Sequence, residues 1–282
     1  MTTLSQSTWL DALIQSLEET VSSPFGDRLP GFPSEEWQLH TVGLSGIDAL
    51  REASAFMEAC VQHFQISTRW SSPDKTLLDF GTGWGRIARC FMREFKGKQI
   101  IGTDINPTFL GLCKETFEVG RFLRTEELPP LRHEEEGSQP EVFPENGVDF
   151  IVAYSVFSHL SEEAGVSWIN EFNRILRPGG MLAVTTRGRW FFDTAEALKE
   201  LELSGYAKGL SEMFEDFNEA RARYDEGLVV HATNSLIGDG KHYGETFIPE
   251  AYARKVFSEN FNFIAFHEDE GAHPIIILQK RP

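Results

Sequence analysis

Leu77-Leu78-Asp79-Phe80-Gly81-Thr82-Gly83-Trp84-Gly85-Arg86 runs from an apolar strand, through an acid, into three alternating glycines. Glycine lets the backbone turn tightly and approach a ligand, and the N-terminus of a following helix adds exposed N–H groups. The stretch predicts a strand, a tight turn and a helix arranged as a nucleotide cradle. A dinucleotide loop needs Gly-x-Gly-x-x-Gly, but Arg86 occupies the place of its third glycine and Gly85 stands one residue too early. NAD is therefore a poor fit.

Working outward, Gln99-Ile100-Ile101-Gly102-Thr103-Asp104 reads as a second strand ending in an acid, where a carboxylate can accept hydrogen bonds from a ribose diol. Val148-Asp149-Phe150-Ile151-Val152-Ala153-Tyr154-Ser155-Val156-Phe157-Ser158-His159-Leu160 reads as a further strand and its loop. Glu171-Phe172-Asn173-Arg174-Ile175-Leu176-Arg177-Pro178-Gly179-Gly180 reads as the helix and turn before the next strand. Asp-x-Gly-x-Gly-x-Gly after a strand resembles motif I of the class I S-adenosylmethionine (SAM)-dependent methyltransferases. The other three segments fall in the order that superfamily uses, and together they cover residues 77 to 187.

The resemblance implies an α/β fold: a seven-stranded, mostly parallel sheet with helices on both faces, an N-terminal helical cap and a cap inserted between the fifth and sixth strands. It divides the chain into a cap over residues 1–72 and a methyltransferase domain over 73–282, with 188–247 as a substrate-covering insertion. It also implies SAM as cofactor. Asp79, Gly81, Gly83 and Gly85 would shape the methionine and ribose end of its site, Asp104 would hold the ribose hydroxyls, and Ile105 would pack on the adenine or in the core. Thr125 and Glu126 align with a loop that often contacts adenine through an Asp, which is missing here. Tyr154 and Ser155 follow the fourth strand, at the edge where ligands of open parallel sheets sit, and Tyr154 has a ring and a hydroxyl to offer a sulfonium cation.

Methyl transfer from an activated donor depends mainly on positioning. A hydroxyl acceptor also needs a base, and His159 is the histidine that the sequence puts nearest the reacting edge. A helix-start residue that only packs there is the competing reading. His242, Tyr243 and Glu245 stand in a polar stretch that either closes over the acceptor or is a plain loop. The fourth strand ends in Tyr154 and Ser155 with no carboxylate to hold Mg²⁺, which disfavours metal-assisted transfer. Pro129-Pro130-Leu131, Ser155 to Ser161 and Thr185-Thr186-Arg187-Gly188 further resemble bacterial methyltransferases found beside glycosyltransferases and natural-product tailoring enzymes. The expected acceptor is an oxygen or nitrogen of a small molecule or sugar; the alternative is a catalytically silent protein of this fold that binds SAM or a partner.

The 282 residues, 41% of them hydrophobic, are enough for a sizeable core. A formal net charge of −17 repels phosphate backbones, and no Asn/Asp-Pro-Pro-aromatic motif follows the fourth strand, so nucleic acid is not the expected substrate. Cys60, Cys90 and Cys113 lie far apart with no Cys-x-x-Cys pair, as expected of packing thiols in a reducing cytoplasm. No apolar run reaches the roughly 18 residues of a membrane span.

Among the remaining segments, one helix is expected around Leu10, Leu13, Ile14, Leu17 and Val21 and another around Leu50, Met57, Val61 and Phe64. The Pro-, Gly- and aromatic-rich stretch 24–46 between them reads as a packed loop. Residues 132–146 read as an exposed acidic loop. Leu210, Met213, Phe214, Phe217 and Tyr224 suggest one helix within the insertion, and 261–267 with 275–279 suggest a closing hairpin.

Overall fold

The computed structural model describes residues 6–133, 141–233 and 241–282. In chain order its elements are α1 (Gln6–Gln15), α2 (Glu35–Val42), α3 (Gly46–Phe64), β1 (Leu77–Phe80), α4 (Arg86–Phe91), β2 (Ile100–Asp104), α5 (Pro107–Thr116), β3 (Arg121–Arg124), β4 (Arg132–His133), β5 (Glu141–Val142), β6 (Val148–Ala153), α6 (Glu162–Ile175), β7 (Leu176–Thr185), α7 (Trp190–Ala197), α8 (Gly205–Ser211), α9 (Phe217–Asp225), β8 (Val230–Ala232), β9 (Glu245–Phe247), α10 (Glu250–Val256), β10 (Phe261–His267) and β11 (Ile275–Lys280).

Seven strands form one sheet in the order β10-β11-β7-β6-β1-β2-β3. The pairs β1–β2, β1–β6 and β2–β3 are parallel, and β10–β11 is the antiparallel closing hairpin. The expected seven-stranded, mostly parallel α/β sheet is thus present. Every position of β1, β2 and β6 is buried, so these strands read as nearly continuous apolar runs instead of an in–out alternation.

The chain divides into two compact units. The first comprises Met1–Glu126, Pro130–Val152 and Ile175–Met181, and the second Glu127–Pro129, Ala153–Arg174 and Leu182–Pro282. In the first unit an aromatic cluster fixes α3 against the sheet: Phe64 stacks on Phe150 at 5.1 Å, and Trp70 and Phe95 meet the same ring edge-on. The buried Asp149 carboxylate ties this region together, accepting hydrogen bonds from Arg69, Arg177 and the Thr76 backbone. Such pairs cost desolvation, and their gain is geometric more than energetic.

Several elements differ from expectation. The first helix ends at Gln15, so Leu17 and Val21 lie beyond it, and the 24–46 stretch contains α2, capped by the Ser34 hydroxyl and closed by left-handed Gly43. The helix after the glycines, expected over 85–95, is regular only to Phe91; i→i+3 bonds from Met92, Arg93 and Glu94 then tighten its end. The Arg177-Pro178-Gly179-Gly180 segment is taken into β7, where Gly179 has φ +76° and its carbonyl accepts from Ser67. The expected single helix over 210–224 is two, α8 and α9, because Asp216 caps a new helix start through the N–H groups of Asn218 and Glu219. Within 132–146, β4 pairs antiparallel with β5, and residues 134–140 lie outside the described residues.

Candidate functional site

In the first unit the turn after β1 is built by its glycines. Gly81, Gly83 and Gly85 have φ of +73°, +53° and +83°, left-handed values that L side chains adopt at a cost. They differ in what surrounds them. A Cβ on Gly85 would lie 2.4 Å from the Phe117 ring, so that glycine is required by packing, whereas a Cβ on Gly83 would meet nothing within 4 Å. Gly81 and Thr82 donate their N–H groups to the Thr103 carbonyl, which fastens the turn to β2.

Two carboxylates hold this turn. Asp79 is buried, and accepts from the Thr82 hydroxyl at 2.7 Å and the Ala88 N–H at 3.1 Å, so it braces the start of α4 from inside. Burial raises its pKa to about 7, with those two donors opposing the rise. Asp104, at the end of β2, accepts from Gly83 N–H at 2.9 Å and Asn106 N–H at 2.8 Å. Burial raises its pKa too, opposed by the N–H groups of Asn106, Gly83 and Ile105. A carboxylate has about four lone-pair positions, and these three N–H groups leave capacity for a further donor. Asn106 also caps α5 through Thr108 N–H, with Pro107 at the first turn.

Next to this turn, Thr125 donates its N–H to the Asp104 carbonyl, while its hydroxyl is buried without a hydrogen-bond partner. The Trp84 indole N–H is likewise buried and unpartnered. Ile105 is 46% exposed and Glu126 is exposed. The first unit thus gathers Asp79, Gly81, Gly83, Gly85, Asp104, Ile105, Thr125 and Glu126 around the C-terminal ends of β1, β2 and β3.

The second unit gathers a different set. Residues 242–247 dock along 158–161 and Arg187 by backbone bonds: Ser161 N–H to His242 O, Gly244 N–H to His159 O, Thr246 N–H to Ser158 O and Arg187 N–H to Thr246 O. That ladder brings β9 under His159. His159 Nδ1 lies 2.9 Å from the Gly244 carbonyl and 3.2 Å from Glu245 Oε1, and Tyr243 stacks on the imidazole at 5.0 Å with planes 13° apart. Glu245 is fully buried and also accepts from Arg187 Nε at 2.6 Å and the Tyr206 hydroxyl at 2.5 Å. Burial alone would push its pKa up; His159 and Arg187 outweigh this and hold it at about 2.

Arg187 further donates to His273 Nε2 at 3.3 Å, and His273 Nδ1 donates to the Thr186 carbonyl at 3.0 Å. Burial and the neighbouring guanidinium lower the His273 pKa to about 3. Tyr154 packs edge-on against the His273 ring. Ser155 has φ +56°, an uncommon value for a residue other than glycine, and its N–H donates to the Thr185 hydroxyl at 2.7 Å. Its hydroxyl lies 3.5 Å from His159 Nε2.

Sequence reasoning located His159, Tyr154 and Ser155 but not Arg187, Tyr206 or His273 as parts of one cluster. Arg187 has a weak signal, a cation two residues past a buried strand; the other two have none, because long-range docking brings them in. Among the described residues no group of three or more His, Cys, Asp or Glu side chains is arranged to hold a metal ion, and no helix is long and apolar enough to cross a membrane.

Residues 78–182, the span from β1 into β7 that carries the glycine turn, match the family described as methyltransferase domain. Over those residues the chain is similar to a methyltransferase domain. The chain is similar in fold to the PH0226 protein from Pyrococcus horikoshii OT3, at TM-score 0.55 and 14% identity, over 89% of this chain and 100% of that one. It is also similar to an S-adenosylmethionine-dependent methyltransferase from Clostridium acetobutylicum ATCC 824, at TM-score 0.53 and 10% identity, over 87% of this chain and 97% of that one. At such identities the likeness is one of fold. A comparison with curated proteins finds no match.

Proposed function

We propose that this methyltransferase domain binds SAM and transfers its methyl group to an oxygen or nitrogen of a small molecule or sugar. The observation that carries the reading is the turn of the first unit, where Gly83 faces open space and its N–H meets Asp104 at the end of β2. A ligand with a ribose diol fits the unused acceptor capacity of that carboxylate, and the unpartnered hydroxyl of Thr125 suits a polar group beside it. Asp79, Gly81 and Gly85 act from behind by fixing the turn, and Ile105 and Glu126 flank it. When bound, SAM supplies an activated methyl group, so the chain's own residues need only bind, orient and handle a proton. His159 accepts that proton at Nε2 when the acceptor is a hydroxyl, with Tyr154 and Ser155 lining its approach. The experiment is calorimetry with SAM and S-adenosylhomocysteine, followed by incubation with methyl-labelled SAM and a metabolite mixture. Binding with labelled product supports the enzyme. Binding without product turns the reading to a silent SAM-binding protein, and no binding of either ligand rejects it.

A further inference from the structure

The hydrogen-bond directions around His159 are forced. Arg187 can only donate, so His273 Nε2 must accept from it and His273 Nδ1 must carry the hydrogen that goes to the Thr186 carbonyl. The same guanidinium donates to one oxygen of Glu245 and keeps that carboxylate ionised. His159 Nδ1 then faces two acceptors, the Gly244 carbonyl and the Glu245 carboxylate, and must carry the hydrogen itself. What remains is a lone pair at Nε2. Its neighbour is the Ser155 hydroxyl at 3.5 Å, the outer limit of a hydrogen bond, which leaves that lone pair weakly engaged. The imidazole plane is set by Tyr243, and its side chain keeps 12% of its surface exposed.

Buried ion pairs seldom add net stability compared with apolar residues of the same volume, so the Glu245–Arg187 pair is better explained by the direction it imposes. We propose that Glu245 and Arg187 are positioning residues that hold His159 as a base at Nε2, and that the methyl acceptor is therefore a hydroxyl compound. With SAM bound, the O–CH3 bond would form as the sulfonium S–CH3 bond breaks and S-adenosylhomocysteine leaves with that electron pair, so an alcohol or phenol must lose its O–H proton in the transfer; a free amine or a carboxylate needs no base. The proton passes to Nε2, and the imidazolium so formed directs its Nδ1–H at the Glu245 carboxylate, which offsets the new charge until solvent removes the proton. This rests on the methyl-transfer reading above, and deepens it by naming the acceptor class.

The test begins with the protein alone. Side-chain ¹⁵N NMR of the labelled full chain, with His159→Gln to assign the signals, should show His159 at pH 8.5 as a single tautomer protonated at Nδ1. Protonation at Nε2 would overturn the proposal. In Glu245→Gln, checked for folding by near-UV circular dichroism, the Nε2-protonated form should rise at least tenfold; Tyr206→Phe, which leaves Arg187 and Glu245 paired, should keep the wild-type tautomer. A Glu245→Gln spectrum identical to wild type refutes the positioning role. With methyl-labelled SAM and a defined panel of alcohols, phenols, hexoses and primary amines, label should appear on oxygen. The turnover number should fall at least tenfold in Glu245→Gln, with the KM for SAM within twofold of wild type. Label on nitrogen, or on no hydroxyl compound, overturns the acceptor assignment. Calorimetric SAM binding is read separately, so its failure would reject the methyl-transfer reading while the tautomer result stands on its own.

Discussion

Asp104 and the three glycines separate ligand chemistry from packing at single residues. Asp104→Ala removes the carboxylate that accepts from Gly83 and Asn106, and should weaken SAM binding by about 1.5 to 3 kcal/mol, read by calorimetry. Unchanged affinity would mean that the ribose diol is held elsewhere. Gly83→Ala and Gly85→Ala make a paired test, since both positions are left-handed and share a backbone cost of about 1 to 2 kcal/mol. Gly85→Ala also drives a Cβ into Phe117 and should lose about 1 to 3 kcal/mol more in urea unfolding. Gly83→Ala places its methyl in open space, so it should unfold at nearly the urea concentration set by strain alone, yet lose SAM affinity. The glycine spacing is legible in sequence because it is local; that one glycine answers to Phe117 and another to open space depends on a residue 32 positions away.

At the scale of elements, the strands are legible as short apolar runs, as suits parallel strands buried on both faces, while the seven-stranded sheet they join is what the family resemblance implies. The 188–247 segment was less legible. Its aromatic spacing does predict a buried cluster, and Phe192 stacks on Phe247 at 3.9 Å with planes 11° apart, surrounded by Phe214, Phe217 and Tyr224. Asp216 divides the helix, and Phe247 belongs to a strand that no alternation announces. Phe247→Ala should cost about 3 to 5 kcal/mol in chemical denaturation, because the ring is fully enclosed among the rings of Phe191, Phe192 and Phe214. A loss below 1 kcal/mol would show that the 188–247 segment does not fold around this stack. His159 was visible as a candidate for the same local reason as the glycines, whereas its partner Glu245 lies 86 residues later and arrives only through the 242–247 ladder.

For the whole molecule, the acid limb of stability carries a signature of the second unit. His273 is held at a pKa of about 3, against 6.5 for a free imidazole, by burial and by Arg187. Between these values the unfolded chain binds a proton that the folded chain refuses, so stability is complete above pH 6.5 and declines as pH falls below it. Glu245 acts in the same direction but lower: its folded pKa of about 2 against 4.5 makes its contribution fade only below pH 4.5. The interval from pH 6.5 to 4.5 therefore isolates His273 from its neighbour. A shift of one unit corresponds to about 1.4 kcal/mol, and with the ring partly open to solvent the expected loss across the interval is about 1 to 2 kcal/mol. His273→Gln keeps an oxygen for Arg187 and an N–H for the Thr186 carbonyl without titrating. Urea unfolding at half-unit steps from pH 7.5 to 4.5 should give a wild-type curve that falls away from that of the variant, the two running parallel above pH 6.5. Curves that stay parallel throughout would mean that His273 accepts a proton in the folded chain, and that Arg187 does not face a neutral imidazole.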